Sequence, residues 1–284
     1  EAVLQLMQEG KINVEPLIGH RYSIDEALAA YETVASGKAM GIVLEYPGGK
    51  GAEDEEEDLA LARTFGHQAK AAAGSDGRFG LSVIGAGNFA TRTLLPALEG
   101  AAVLRRMIVS SGGVSAAYAA NKFGFEASTT NVEELLADPD TDAVLITTRH
   151  NAHARQVLTA LEAGKHVFVE KPLALSLDEI DAIEVAVRAS ERILMVGFNR
   201  RFAPLSCKVK ALLQSLPGPK SIFATINAGA IPGDHWTQDL EVGGGRIVGE
   251  ACHFIDLLSD WAGSPIADAR IHYLGGAEGR TRDT

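Results

Sequence analysis

From Phe79 onward the sequence predicts an α/β fold built on a parallel sheet, and three observations carry that prediction. Short runs rich in Val, Ile and Leu alternate with longer segments of helical period, which is the pattern of repeated βαβ units. The first run, Leu81-Ser-Val-Ile84, leads at once into Gly85-Ala-Gly87-Asn88-Phe89-Ala90, a glycine-rich turn that opens a helix. After Asn199 the alternation gives way to a helix, long loops and alternating apolar residues, the start of a second, α+β region.

Taken in order, residues 1–47 form a small unit of their own. Ser23 followed by Glu26 makes a capping box. The helix it starts carries Ala27, Leu28, Ala30, Tyr31 and Val34 and stops near Gly37, and the strand Gly41 to Tyr46 closes the unit. Such a piece is too small to bury a core alone. Residues 48–78 are Gly-, Ala- and acid-rich and read as a linker, with a short helix expected around Leu59 to Ala73. In residues 79–198 the expected strands are Leu81–Ile84, Val103–Val109, Ala143–Thr147, His166–Val169 and Ile193–Phe198. The helices between them run from Asn88 to Leu98, Ser115 to Phe123, His153 to Ala163 and Leu177 to Ser190, with a further one capped by Asn131. In residues 199–284 a helix (Leu205 to Leu213), a strand (Ser221 to Asn227), a helix carrying Glu250, His253 and Asp256, and a strand (Ala269 to Leu274) follow. The whole reads as a Rossmann-type parallel sheet followed by a truncated α+β substrate domain.

The glycine-rich turn is a dinucleotide fingerprint by its context. Gly85 permits the tight turn, Gly87 lets backbone approach a pyrophosphate, and small Ala90 allows close helix–strand packing. The helix start then offers free N–H groups to the phosphates. The acid expected about 20 residues further on, which would hold the ribose diol, is missing, and Ser110-Ser111-Gly112 stand in its place. Arg105 and Arg106 lie within the strand, so the cofactor is left as NAD or NADP.

Two other strand ends fall at the same sheet edge. Thr147-Thr-Arg-His-Asn151-Ala-His153 places Asn151 and His153 either beside a nicotinamide or in the start and packing of the next helix. In Glu170-Lys171-Pro172 a cation meets the carboxyl end of an apolar strand, where open α/β sheets bind ligands. Beyond Gly243-Gly244-Gly245, the spacing of Glu250, His253 and Asp256 puts them on roughly one helical face. A carboxylate there could set the tautomer of the histidine for acid–base work. The same spacing fits the wet side of an ordinary amphipathic helix.

The remaining numbers exclude other classes. A net charge of −11 argues against a nucleic-acid footprint, and much of it comes from the acidic run Glu53 to Asp58. No apolar stretch approaches the ~20 residues needed to cross a bilayer, and no signal peptide is visible. Cys207 and Cys252 have no metal-like spacing, which suits free thiols in a reducing, cytoplasmic compartment. No metal site is expected. The absence of an initiator Met and the ending at Arg280 to Thr284 lead us to expect a piece of a longer protein.

Two resemblances join these pieces. The segment "PLIGHRYSIDEALAAYETVASGKAMGIVLEY" resembles the carboxyl-terminal tail of the medium-chain zinc-dependent alcohol dehydrogenases. The segments "VIGAGNFA", "TRHNAHA", "AGKHVFVEKPLALS", "VGFNRRFAP" and "GGGRIVGEACHFIDL" resemble, in order, the glucose–fructose oxidoreductase / inositol dehydrogenase (Gfo/Idh/MocA) family. Together they resemble bi-domain oxidoreductases in which both units are fused.

The second resemblance implies hydride transfer between a nicotinamide and a secondary alcohol of a sugar, amino sugar or cyclitol. It implies Lys171 at the reacting hydroxyl and His253 as proton acceptor, with Glu250 and Asp256 in support. It gives Gly85, Gly87, Asn88, Phe89, Ala90, Ser110, Thr147, Glu170 and Lys171 as the cofactor-binding set. A sugar-like small molecule is the expected partner, and homo-oligomerisation is the family tendency. An NAD-dependent glycoside hydrolase and a non-catalytic nucleotide and sugar sensor are the alternatives it carries. One departure stands out: where many members have an aspartate four residues before the histidine, this chain has Gly249.

Overall fold

The computed structural model describes residues 6–7, 9–37, 39–45, 63–67 and 79–272. They fall into two compact units, Glu1–Leu61 and Ala62–Thr284. In the first unit, β1 (His20–Ser23) and β2 (Ile42–Glu45) pair in parallel across the helix α1 (Ala27–Ala35). Glu26 Oε2 accepts from the Ser23 amide at 3.2 Å, as the capping spacing requires. Ala30 is buried, while Leu28, Tyr31 and Val34 remain exposed.

The second unit is organised by a seven-stranded sheet of order β3-β6-β5-β4-β7-β8-β9, with β3 (Thr64–Gly66) at one edge. The strands β4 (Phe79–Ile84), β5 (Val103–Val109), β6 (Ala127–Thr129), β7 (Ala143–Ile146), β8 (His166–Val169) and β9 (Leu194–Val196) are all parallel. The chain steps from β4 to β5 on one side and returns to β7 on the other, so the topological switch point lies beside β4. Period-two alternation explains the two cores. Leu81, Val83, Ala143 and Leu145 pack on one face, and Ile84, Val144 and Ile146 on the other. Each face is covered by helices, which is why β7 is wholly apolar and Arg105 and Arg106 of β5 are held by hydrogen bonds, Arg105 to the Phe123 and Leu98 carbonyls and Arg106 to Asp138. The covering helices are α2 (Leu95–Ala97), α3 (Val114–Phe123), α4 (Val132–Ala137), α5 (His150–Glu162) and α6 (Leu177–Ser190). A wide turn with i→i+5 bonding, Ala90–Leu94, leads into α2 one turn before Pro96, whose missing N–H disrupts the ordinary ladder.

Three expectations fail here. The helix around Leu59 to Ala73 is not formed in its described part. Thr64–Gly66 is instead a strand, β3, paired antiparallel to the edge strand β6. The Thr64 hydroxyl donates to Thr129 Oγ1 at 2.8 Å, and His67 Nε2 lies 2.8 Å from Ser128 Oγ. An edge partner overrides a weak local preference for helix, so the segment given as linker contributes to the sheet. The strands Ser221–Asn227 and Ala269–Leu274 are also not formed in their described parts. Residues 221–227 and 269–272 are irregular and find no ladder partner among the described residues, and the rest of the second strand lies outside them. Phe223 is correspondingly 95% exposed. Third, α5 begins one turn earlier than expected, at His150. Its Asn151 amide is satisfied by the Val242 carbonyl of a distant loop at 3.1 Å, a partner no local pattern reveals.

Beyond the sheet, α7 (Pro204–Ser215) packs on α8 (Cys252–Ala262), and a second wide turn, Ile247–Ala251, leads into α8. Trp261 Nε1 donates to the Ser206 carbonyl at 3.2 Å, and Lys210 pairs with Asp260 at 2.6 Å. No helix among the described residues is long and apolar enough to cross a membrane.

Candidate active site

The register of the parallel strands builds the site. Ile84 stands opposite Val109 and Ile146, and Ile146 opposite Val169. The residues that follow these strand ends, Gly85, Ser110, Thr147 and Glu170, therefore share one sheet edge. The amides of Gly85, Thr147 and Glu170 extend the ladder at 2.8–2.9 Å. This edge borders a cavity of about 1320 Å³ whose lining runs from Gly85, Gly87, Asn88 and Phe89 through Ser110 and Thr147 to Glu170, Lys171 and His253.

Gly85 has no substitute. Its φ is +110°, and an added Cβ would stand 2.7 Å from Thr147 Oγ1 and 2.8 Å from the Thr147 carbonyl. Thr147 Oγ1 in turn donates to the Gly85 carbonyl at 2.9 Å, locking the turn to β7. A Cβ on Gly87 would meet nothing within 4 Å, so the backbone here faces open space that a pyrophosphate can approach. Ala90 is buried against the sheet. These residues fit a dinucleotide. At the ribose end, Ser110 Oγ accepts from Ser115 Oγ at 2.8 Å and from the Ala116 amide at 3.2 Å, which fixes it against α3. Among the described residues no carboxylate stands beside it in the cavity, where Glu170 is the one acidic lining residue.

Lys171 Nζ donates to the Gly249 carbonyl at 2.7 Å, and the Lys171–Pro172 peptide is cis. His253 borders the same cavity. Its Nδ1 is buried and has no hydrogen-bond partner among the described residues, and its ring meets Phe198 edge-on at 6.2 Å. Burial, then the positive charges of Lys171 and Arg200, push its pKa down to about 4. The ring is therefore neutral near pH 7 and free to accept a proton. Burial raises the Glu170 carboxyl above its usual range, against the neighbouring Lys171.

Glu250 and Asp256 do not join this pair. Glu250 Oε2 accepts from Arg246 Nε and Nη2, both at 3.2 Å, and lines a separate apolar groove with Phe254 and Ile255. The wide turn Ile247–Ala251 breaks the α-helical spacing that would have put Glu250 over His253. Asp256 is held by Arg201 through Nε at 2.9 Å and through Nη2. Arg201 lies on the short 3-10 turn Asn199–Phe202, and Asp256 acts on His253 only through its charge, which partly opposes the lowering of that pKa. His153 is fully buried, its nitrogens 2.7 Å from the Pro172 carbonyl and 3.1 Å from that of Thr148, which is a packing role.

Local reading missed His150, Asn199 and Trp236, which line the same cavity. His150 Nδ1 donates to the Gly243 carbonyl at 2.8 Å, and its ring sits edge-on to Trp236 at 4.7 Å. The Arg149 guanidinium lies over the same indole at 5.8 Å. No sequence signal links residues 149–150 to residues 236–243; only the fold brings them together.

The fold and its sheet edge are those of a Rossmann-type dinucleotide-binding domain. Residues 79–198 match the GFO_IDH_MocA family, described as "Oxidoreductase family, NAD-binding Rossmann fold". Among curated proteins, the chain is 36% identical over 189 residues to the 1,5-anhydro-D-fructose reductase of Ensifer adhaerens, covering 64% of this chain and 55% of that protein. It is 33% identical over 156 residues to the scyllo-inositol 2-dehydrogenase (NAD(+)) of Bacillus subtilis, covering 54% and 44% respectively. Among solved structures, a levoglucosan dehydrogenase in complex with NADH and levoglucosan superposes with a TM-score of 0.57 at 28% identity, over 66% of this chain and 54% of that one. The chain thus spans about half the length of these relatives, or less.

Proposed function

We propose that the protein containing this chain is an NAD(P)-dependent dehydrogenase acting on a secondary alcohol of a sugar, amino sugar or cyclitol. The observation that carries this reading is the placement of Lys171 and His253 on the cavity that Gly85 and Gly87 also line. The nicotinamide, when bound, supplies the hydride acceptor. Lys171 supplies a fixed positive charge for the alkoxide that forms as the hydroxyl loses its proton, and His253, neutral at pH 7, takes that proton. The Gly249 carbonyl holds the ammonium of Lys171 in place until substrate arrives. Glu170, partly buried beside Lys171, lines the cofactor side.

The names of relatives support the substrate class: two act on anhydro sugars and one on an inositol. The parallel βαβ unit of residues 20–45 is compatible with the tail of an alcohol-dehydrogenase-like domain fused ahead of this one. The test is to titrate the full-length protein with NAD and NADP, then supply a panel of sugars and polyols and follow the absorbance of reduced cofactor. Substrate-dependent, stoichiometric cofactor reduction is expected. Cofactor binding with no reduction across the panel, or sugar cleavage without net reduced cofactor, contradicts it.

A further inference from the structure

Gly249 and His150 form a pair that neither residue announces alone. An added Cβ on Gly249 would stand 3.1 Å from His150 Cε1 and 3.4 Å from its Nδ1, so the imidazole occupies the space a side chain at position 249 would need. The backbone of Gly249 meanwhile accepts from Lys171. The imidazole and the lysine thus meet at one residue, in a chain that has no carboxylate at this position.

The ring of His150 is held in one orientation and one tautomer. Its Nδ1 faces a carbonyl, which can only accept, so Nδ1 carries the proton and Nε2 is left with its lone pair. Nε2 has no partner in the protein among the described residues, although the residue is only 7% exposed and borders the cavity. Trp236 packs edge-on against the ring and Arg149 stacks on that indole, so the orientation is braced from outside. Burial first, and then the charges of Lys171 and His153, push the His150 pKa down to about 4, which keeps the lone pair available.

We propose that His150 Nε2 accepts a hydrogen bond from a substrate hydroxyl adjacent to the one held by Lys171, so that the site selects vicinal diols over isolated secondary alcohols. This rests on the proposed function and deepens it. A pocket built to pair with a hydroxyl discriminates against the analogue lacking it, because the acceptor then loses its partner in a largely enclosed site.

The test uses the full-length protein with NADH bound, and compares calorimetric binding of myo-inositol, levoglucosan and their monodeoxy analogues to wild type, His150→Ala and His150→Gln. In wild type, one deoxy position should weaken binding about tenfold, the worth of one hydrogen bond. In His150→Ala that penalty should vanish while NADH affinity stays unchanged. His150→Gln, which keeps an acceptor oxygen, should recover part of it. Nitrogen-15 NMR of the wild-type histidines should show His150 as the Nδ1–H tautomer, a readout that does not depend on any variant folding. An equal deoxy penalty in wild type and His150→Ala, a loss confined to NADH affinity, or an Nε2–H tautomer overturns the inference and leaves the dehydrogenase reading standing. Wild type that binds NADH but no member of the panel overturns both.

Discussion

Gly249→Ala separates stability from chemistry at this site. The new Cβ would lie 3.1 Å from His150 Cε1 and 3.2 Å from the Gly243 carbonyl, closer than most real contacts, so a neighbour must give by a few tenths of an ångström. Gly249 is not among the residues with positive φ, so alanine adds no backbone strain. Overpacking of this kind costs about 1–3 kcal/mol. Replacing glycine inside a helical turn returns about 1 kcal/mol. The net loss of stability is therefore small, about 0–2 kcal/mol from the difference of those two effects. Turnover should suffer too. The atoms that must shift are the ring of His150 and the segment whose carbonyl holds Lys171; a misplacement of about 1 Å can cost about 100-fold in rate, so a few tenths should cost roughly up to tenfold. Thermal melts and kcat/KM on the full-length protein measure the two effects separately. Since the crowding is between positions 249 and 150, adding His150→Ala should cost less on top of Gly249→Ala than it does alone. Wild-type turnover in Gly249→Ala, or strict additivity in the double variant, would refute the reasoning.

Other outcomes follow from the same geometry. Gly85→Ala forces a Cβ into the Thr147 backbone at positive φ, and denaturant titration should show a loss of about 2–4 kcal/mol together with loss of cofactor binding. Asp256→Asn should cost about 1–3 kcal/mol of stability by weakening the Arg201 pair, and should move the acid limb of kcat/KM slightly lower, because the Asp256 charge opposes the lowering of the His253 pKa. An upward shift of the profile would contradict this. His150 and His253 both have folded pKa values near 4 against an ordinary 6.5, so between those values the unfolded chain binds more protons. Stability should fall as pH drops from 6.5 toward 4, and alcohol oxidation should lose its acid limb near pH 4 rather than near 6.5. Denaturant midpoints and kcat/KM across that range check both.

The parallel sheet was legible because burial on both faces leaves near-continuous apolar strands such as Val144–Ile146, and because Gly85 and Gly87 mark the turn after the first of them. Lys171 was conspicuous for a similar reason, as a cation ending a buried strand. What escaped local reading depends on partners distant in sequence. Thr64–Gly66 is a strand only because β6 offers it an edge. Residues 221–227 have alternating apolar residues but no neighbour to pair with among the described residues. Asp256 sits at the right helical spacing from His253, yet Arg201 claims it. Spacing along a helix shows which side chains share a face, not which of them a third element will capture. His150 was hidden in a polar stretch that reads as loop. Its role emerges only when the segment from Trp236 to Gly249 folds back over α5.

The central claim is that Lys171 serves the reacting alcohol rather than the cofactor or the fold, and Lys171→Ala in the full-length protein tests it most directly. NADH affinity and thermal midpoint, measured beside turnover of a substrate identified from the polyol panel, separate the three roles. The account expects kcat/KM to fall about 100- to 1,000-fold, as for removal of one charge-stabilising donor, with NADH binding unchanged within about threefold. Turnover close to wild type, or a loss explained entirely by weaker NADH binding, would contradict it.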